Sequence, residues 1–259
     1  MTEIPNRAEV EAELDEIDDE ILFATVSGAH LYGFPSEDSD VDIRGTYIAP
    51  IKEVLALGDH PDTFDRITFR DGVEVDISFH EVEKFLELLL GRNAVVLEQL
   101  YSPLTVRTGD AHEELKELAA DCITRHHAHH YLGFSSSRWE GFQESGKLKA
   151  LLYAYRGLLT GLHLMETGRI EANLETLAEH HDAPELRDLI DRKRQGTEQM
   201  PAPEGPFAES DVFETWTERL EDAHAASDLP GDVPLAVRRR LSDFLVRLRL
   251  RLQDLAAVD

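Results

Sequence analysis

Residues 26–47, VSGAHLYGFPSEDSDVDIRGTY, constrain the fold more than any other part of the chain. They continue the apolar run ILFATV, residues 21–26, which has the apolar and β-branched content of a buried strand expected over 21–27. The chain then passes Gly28 and Gly33 and arrives at Asp40-Val41-Asp42. That triplet opens a second strand, expected over 41–49 and ended by Pro50. Side chains two apart on a strand share a face, with Cα atoms roughly 6.6 Å apart. Asp40 and Asp42 are therefore expected side by side at a sheet surface, with Val41 turned to the core. Carboxylates held that close repel unless a cation lies between them. A divalent metal with oxygen ligands suits the pair, and Mg²⁺ commonly takes one or two carboxylates together with substrate phosphates. The glycine-bearing turn upstream lets backbone N–H groups approach phosphate oxygens.

A hairpin follows. Residues 63–70 and 73–79 are β-rich runs joined by Asp71-Gly72, a dipeptide suited to a two-residue turn. On the second arm Glu74, Asp76 and Ser78 share one face, and Val73, Val75, Ile77 and Phe79 share the other. From His80 the period turns helical: Val82, Phe85, Leu86, Leu89 and Leu90 form an amphipathic stripe, and a short helix over 93–100 is broken by Ser102-Pro103. Upstream of the first strand, Asn6 is expected to cap an acidic helix over 7–19. Beyond the strands, helices are expected over 111–122, 124–145, 147–167, 171–180, 184–194, 211–226 and 233–257. Gly168 serves as a stop and the Pro/Gly-bearing 195–210 as a linker. The expected class is α+β: a small mixed sheet with flanking helices over 1–105, then an all-α helical domain over 106–259.

The Gly-turn and Asp-x-Asp arrangement resembles the nucleotidyltransferases of the DNA polymerase β superfamily. SGAHLYGFPSEDSDVDIRG is most similar to the stand-alone prokaryotic group with an SGSxxYG…SDxDxRG signature and a C-terminal helical domain. This chain carries Gly28-Ala29 where the pattern has Gly-Ser. The resemblance implies transfer of a nucleoside monophosphate from an NTP to a hydroxyl, with release of pyrophosphate. It also implies a third carboxylate on a later strand, for which Asp76, within Val75-Asp76-Ile77, fits better than Glu74. Asp40, Asp42 and Asp76 would then hold Mg²⁺ or Mn²⁺ and carry the catalysis. Gly28, and with it Ser27, would approach the β,γ-phosphates, and Ser39 and Arg44 would assist with phosphate charge. The expected partners are a nucleoside triphosphate and an acceptor left open among RNA, protein and small molecule; a homo-oligomer is compatible with the sequence. Two other readings stand beside this one: a non-catalytic nucleotide-binding or partner-binding module, and an antitoxin-type nucleotidyltransferase acting on a toxin protein.

Charge narrows the setting. The chain has 52 acidic and 26 basic residues, a formal charge of −26, and only six of the basic residues are lysine. So acidic and lysine-poor a surface suits a salt-rich cytoplasm, where screening removes much of the self-repulsion. It argues against a nonspecific nucleic-acid binder at ordinary salt, because that affinity comes from Lys and Arg on phosphates. One cysteine, Cys122, excludes an intrachain disulfide and a Cys-rich zinc site. The first twenty residues are acidic and polar, without a signal pattern, and no apolar run approaches the roughly 20 residues of a membrane span, so a halophilic, cytoplasmic protein without a membrane partner is expected.

Three features of the helical half carry potential chemistry. His126, His127, His129 and His130 cluster, with His126 and His130 at i, i+4, but without an HExxH pattern; surface and interdomain histidines are the expectation. Lys149, Tyr153 and Arg156 fall on one helical face with Lys147 nearby, suited either to a nucleotide or to ion pairs with surrounding carboxylates. Arg238, Arg239, Arg240, Arg247, Arg249 and Arg251 flank an apolar stripe of Leu241, Phe244, Leu245, Leu248 and Leu252. Such arginines more often neutralise acidic neighbours than touch a phosphate backbone.

Overall fold

The computed structural model describes residues 4–58 and 60–256, with side chains as far as residue 251. The strands are β1 (Glu20–Val26), β2 (Val41–Ile48), β3 (Thr63–Arg70), β4 (Val73–Glu81) and β5 (Thr105–Arg107). The first helices are α1 (Arg7–Leu14), α2 (Gly28–Tyr32), α3 (Ile51–Leu55), α4 (Val82–Leu90), α5 (Ala94–Leu100) and α6 (Asp110–Ala120). They are followed by α7 (His127–Ser145), α8 (Leu148–Thr167), α9 (Leu174–His180), α10 (Pro184–Arg194), α11 (Ser210–Ala226) and α12 (Leu235–Ala256). Contacts group the chain into two compact units: Met1–Ser27, Asp40–Cys122 and Val233–Asp259 form one, and Gly28–Ser39 and Ile123–Asp232 the other. The expected α+β class, a mixed sheet with helices and a large helical part, is what the structure has.

The first unit is built on a five-stranded sheet of order β3-β4-β2-β1-β5. β2 and β4 run parallel, and every other neighbouring pair is antiparallel. Along β4, Val75, Ile77 and Phe79 are fully buried while Glu74, Asp76 and Ser78 are half-buried, as period-two alternation requires. Phe23 on β1 meets Phe85 of α4 edge-on at 5.5 Å and stacks on His112 of α6 at 4.4 Å, which fixes both helices on the sheet. Asp71 and Gly72 both take positive φ, 51° and 85°, and close the β3–β4 hairpin at the Arg70–Val73 pair. Asn6 does sit at the N-cap of α1, but its left-handed φ of 45° turns its side chain away, and it makes no capping bond. The short β5 and α3 were not expected; three and five residues carry too little periodicity to read. β5 spans position 105/106, where the sequence changes from strands to helices, and the contact unit runs on to Cys122, itself buried.

Three of the six C-terminal arginines neutralise carboxylates within this unit. Arg240 pairs with Asp121 at 2.9 Å, Arg247 pairs with Glu114, and Arg249 donates to Glu81 at 3.1 Å and Glu83 at 3.0 Å. The side chain of Leu252 and the helix end expected at Ala257 lie outside the described residues.

Gly45 has a packing role. It lies on β2 opposite Ala24 of β1, where an added Cβ would overlap the Phe23 carbonyl oxygen. Backbone cannot step aside as a flexible side chain can, so Gly45→Ala is expected to cost about 3 kcal/mol, the upper end for overpacking a core. A denaturant midpoint unchanged by that substitution would show that the two strands separate freely there.

The second unit is organised around α8. Fourteen of its 20 residues are buried, so the helix is apolar nearly all round and must be enclosed by others. α7, α9, α10 and α11 pack on it. Trp139 of α7 stacks on Phe213 of α11 at 4.3 Å, and Tyr155 of α8 meets Phe213 edge-on at 5.8 Å. Gly168 takes φ 70° and ends α8, as its position in the sequence leads one to expect. Among the described residues no helix is long and apolar enough to cross a membrane.

Candidate active site

The carboxylates are brought together by strand register. Parallel pairing sets Asp42 directly opposite Asp76, one on β2 and one on β4, with both side chains on the half-buried face. Asp40 precedes β2, and Val41 between the two aspartates is fully buried, as alternation demands. One carboxylate oxygen from each of Asp40, Asp42 and Asp76 lies within 4.8 Å of the others. Glu74 is placed opposite Phe69 of β3 and is not a member of this group.

Arg44 ties the group together. Two residues after Asp42 on the same strand face, its Nη2 donates to Asp42 Oδ1 at 2.6 Å and to Asp76 Oδ2 at 2.9 Å. Its Nη1 donates to the Asp76 carbonyl at 2.8 Å. The side chains of Arg44, Asp42 and Asp76 are 20%, 19% and 27% exposed, so the pairs are partly shielded yet open to a ligand. Three carboxylates against one guanidinium leave a surplus of two negative charges. That surplus, and an all-oxygen donor set, match a hard divalent cation such as Mg²⁺ or Mn²⁺.

Ser27 is buried, and its backbone N–H donates to the Asp42 carbonyl at 2.8 Å, fixing the approach of the chain to β2. Gly28 opens α2 with φ 59°, in the left-handed region that glycine enters freely, and Ala29 beside it is buried.

Ser39 and Lys149 are joined elsewhere, within the second unit, through a residue that local patterns do not single out. Glu198 Oε1 accepts from Ser39 Oγ at 2.8 Å and from Lys193 Nζ at 2.9 Å, while Oε2 pairs with Lys149 at 2.6 Å. Lys193 is fully buried and also donates to Ser36 Oγ at 2.6 Å. Burial alone would raise the Glu198 carboxyl, but the hydrogen bonds from Lys149, Lys193 and Ser39 override it and hold the pKa at about 2. The helical face of Lys149, Tyr153 and Arg156 divides accordingly. Lys149 is ion-paired, and Arg156 is buried with its guanidinium 4.0 Å from the Tyr32 ring centroid and 4.9 Å from that of Phe134.

A small mixed sheet with Asp-x-Asp entering one strand, and a third aspartate in register on its parallel neighbour, defines the class as a nucleotidyltransferase of the polymerase β type. Residues 6–247 match the family model of RlaP, the RNA repair pathway DNA polymerase beta family, and the chain belongs to that family. It is similar to the uncharacterized protein MJ0002 of Methanocaldococcus jannaschii, 29% identical over 161 residues, which are 60% of this chain and 64% of the relative. It is also similar to the uncharacterized protein YcgL of Bacillus subtilis, 27% identical over 188 residues, 69% of this chain and 71% of the relative. The chain thus spans just under two thirds of the archaeal relative. Among solved structures, a nucleotidyltransferase-like protein from Exiguobacterium sibiricum aligns over 85% of this chain and 73% of its own, at 12% identity and a TM-score of 0.32.

Proposed function

We propose that the protein is a metal-dependent nucleotidyltransferase that moves a nucleoside monophosphate from an NTP to a hydroxyl of RNA, releasing pyrophosphate. The observation that carries this reading is the register that sets Asp42 opposite Asp76 with Asp40 in the same 4.8 Å group. The family's description as part of an RNA repair pathway supports RNA as the acceptor class. Asp40, Asp42 and Asp76 are the residues that would hold the cation. Bound there, Mg²⁺ or Mn²⁺ would neutralise charge on the reacting phosphate and on the leaving pyrophosphate. Asp76 is assigned the acceptor-hydroxyl proton. Arg44 positions Asp42 and Asp76 and lowers their mutual repulsion, and Ser27 holds the strand entry through the Asp42 carbonyl. Gly28, Ser39 and Lys149 are proposed for the triphosphate, which requires Ser39 and Lys149 to exchange Glu198 for phosphate oxygens. The acidic composition supports a salt-rich cytoplasm as the working medium.

The test is label transfer from each α-labelled NTP to RNA carrying free hydroxyl ends, with Mg²⁺ or Mn²⁺, in molar KCl and in dilute salt. Label is expected on the RNA, dependent on the added cation. Label on protein or on a small molecule would move the acceptor to that class, and metal-dependent NTP binding without transfer would make the protein a binding module.

A further inference from the structure

A second group of ligand-type side chains lies in the second unit and takes no part in the function above. His163 stands on α8, His180 is the last residue of α9, and His181 follows as its C-cap. One ring nitrogen from each lies within 4.8 Å of the others. The ring centroids are 4.8 Å apart for His163–His180, 4.7 Å for His180–His181 and 6.1 Å for His163–His181. A carboxylate completes the set. Glu166, one turn beyond His163 on α8, places Oε2 3.8 Å from His181 Nδ1 and 4.0 Å from His180 Nε2.

We propose that His163, His180, His181 and Glu166 form a binding site for a borderline transition metal of the Zn²⁺ class, clamping the end of α9 to α8. Four bonds of roughly 2.0–2.1 Å in a tetrahedron place ligand atoms about 3.3 Å apart, so the observed spacings need to close by well under 1 Å at Glu166 and by at most about 1.5 Å elsewhere. One buried nitrogen, His163 Nδ1, has no hydrogen-bond partner, and the His181 side chain, whose Nδ1 is the nitrogen near Glu166, is only 3% exposed. A buried polar atom like His163 Nδ1 asks for an explanation, and a metal on this cluster supplies one. His180 and Glu166 are nearly half exposed, and Glu166 lines a surface cavity of about 650 Å³, which gives an ion a way in. Arg219 and Arg169 oppose a cation there, and Glu166 and Glu171 favour one.

A second histidine trio, His126, His129 and His224, has comparable spacing but a different surround. The nearby Arg125 guanidinium disfavours a cation at His224. It serves as the internal control.

The experiment is Zn²⁺ titration of the full chain carrying Asp40→Asn and Asp42→Asn, so that the acidic site does not compete. Co²⁺ substitution is read by its four-coordinate ligand-field spectrum. One Zn²⁺ per chain and a tetrahedral Co²⁺ spectrum are expected. His180→Gln and Glu166→Gln, both at half-exposed positions, should each weaken Zn²⁺ binding by more than about 100-fold, beyond what losing a hydrogen bond to a ligand causes. His181→Gln, a buried change, is checked by circular dichroism before its metal binding is read. Binding that survives both half-exposed variants, that is lost instead in His129→Gln, or that is absent from the parent protein overturns the proposal. The readouts are spectroscopic and stoichiometric, so failure of the nucleotide-transfer reading leaves this result standing.

Discussion

Asp42→Asn is expected to lower nucleotide transfer by about three orders of magnitude or more, with little change in thermal stability. Asparagine keeps the shape of the side chain and an oxygen to accept from Arg44, whose Nη2 lies 2.6 Å from Oδ1. It removes the charge. With one carboxylate fewer, the surplus of two negative charges that suits a divalent cation falls to one, and positioning plus charge neutralisation is most of what such a site contributes. The control is Glu74→Gln on the same strand. Glu74 faces Phe69 and stands outside the three-carboxylate group, so transfer should stay within a few-fold of the parent. Rates should be measured over a Mn²⁺ titration, because weakened metal binding is partly recoverable at high metal and a lost proton acceptor is not. Parent-like transfer by Asp42→Asn at every metal concentration would end the assignment.

The second large effect concerns stability. Glu198→Ala strips the fully buried Lys193 of its carboxylate, leaving it only the Ser36 hydroxyl among the hydrogen bonds described here. Removing one partner of a buried pair commonly costs about 3–5 kcal/mol, because the remaining charge stays desolvated. For a chain of this size that corresponds to a fall in Tm of roughly 10 °C. The pH dependence has a definite sign. Glu198 ordinarily titrates near 4.5 and is held at about 2 in the folded protein, where hydrogen bonds from Lys149, Lys193 and Ser39 outweigh the opposing effect of burial. Its contribution is therefore complete above about pH 4.5 and is lost as pH falls from there toward 2. Urea midpoints at pH 6, 4.5 and 3 should show the parent losing more over the acid steps than Glu198→Gln, which cannot ionise. Parallel curves for the two proteins would mean that the cluster contributes nothing to folding.

The parts of the fold that rest on local rules were legible in the sequence. Alternation along Val73–Glu81 located the buried face of β4, the Asp71-Gly72 pair located its hairpin, and Gly168 located the end of α8. Register was not legible. Whether Glu74 or Asp76 comes to lie beside Asp42 depends on how β4 slides along β2, and those strands are separated by the whole of β3. The sequence resemblance favoured Asp76, and pairing places Asp76 opposite Asp42. Arg44 was read as a phosphate ligand from its proximity to the motif; its bridging of two strands became visible only once they were paired. Glu198 lies 159 residues from Ser39, and no short-range pattern reveals such a bond. The same holds for the three histidines around Glu166, of which only His180 and His181 are sequence neighbours.

The interleaving of the two compact units bears on how the chain is made. Every residue of the second has been added to the chain once Asp232 has been synthesised, whereas the first is still lacking Val233–Asp259 at that point. The sheet-bearing unit must wait for α12, whose Arg249 then meets Glu81 and Glu83, carboxylates translated 168 and 166 residues earlier. No single cut releases either unit whole. A stop codon placed after Asp232 would keep every residue of the second unit and deprive the aspartate-bearing one of its last helix.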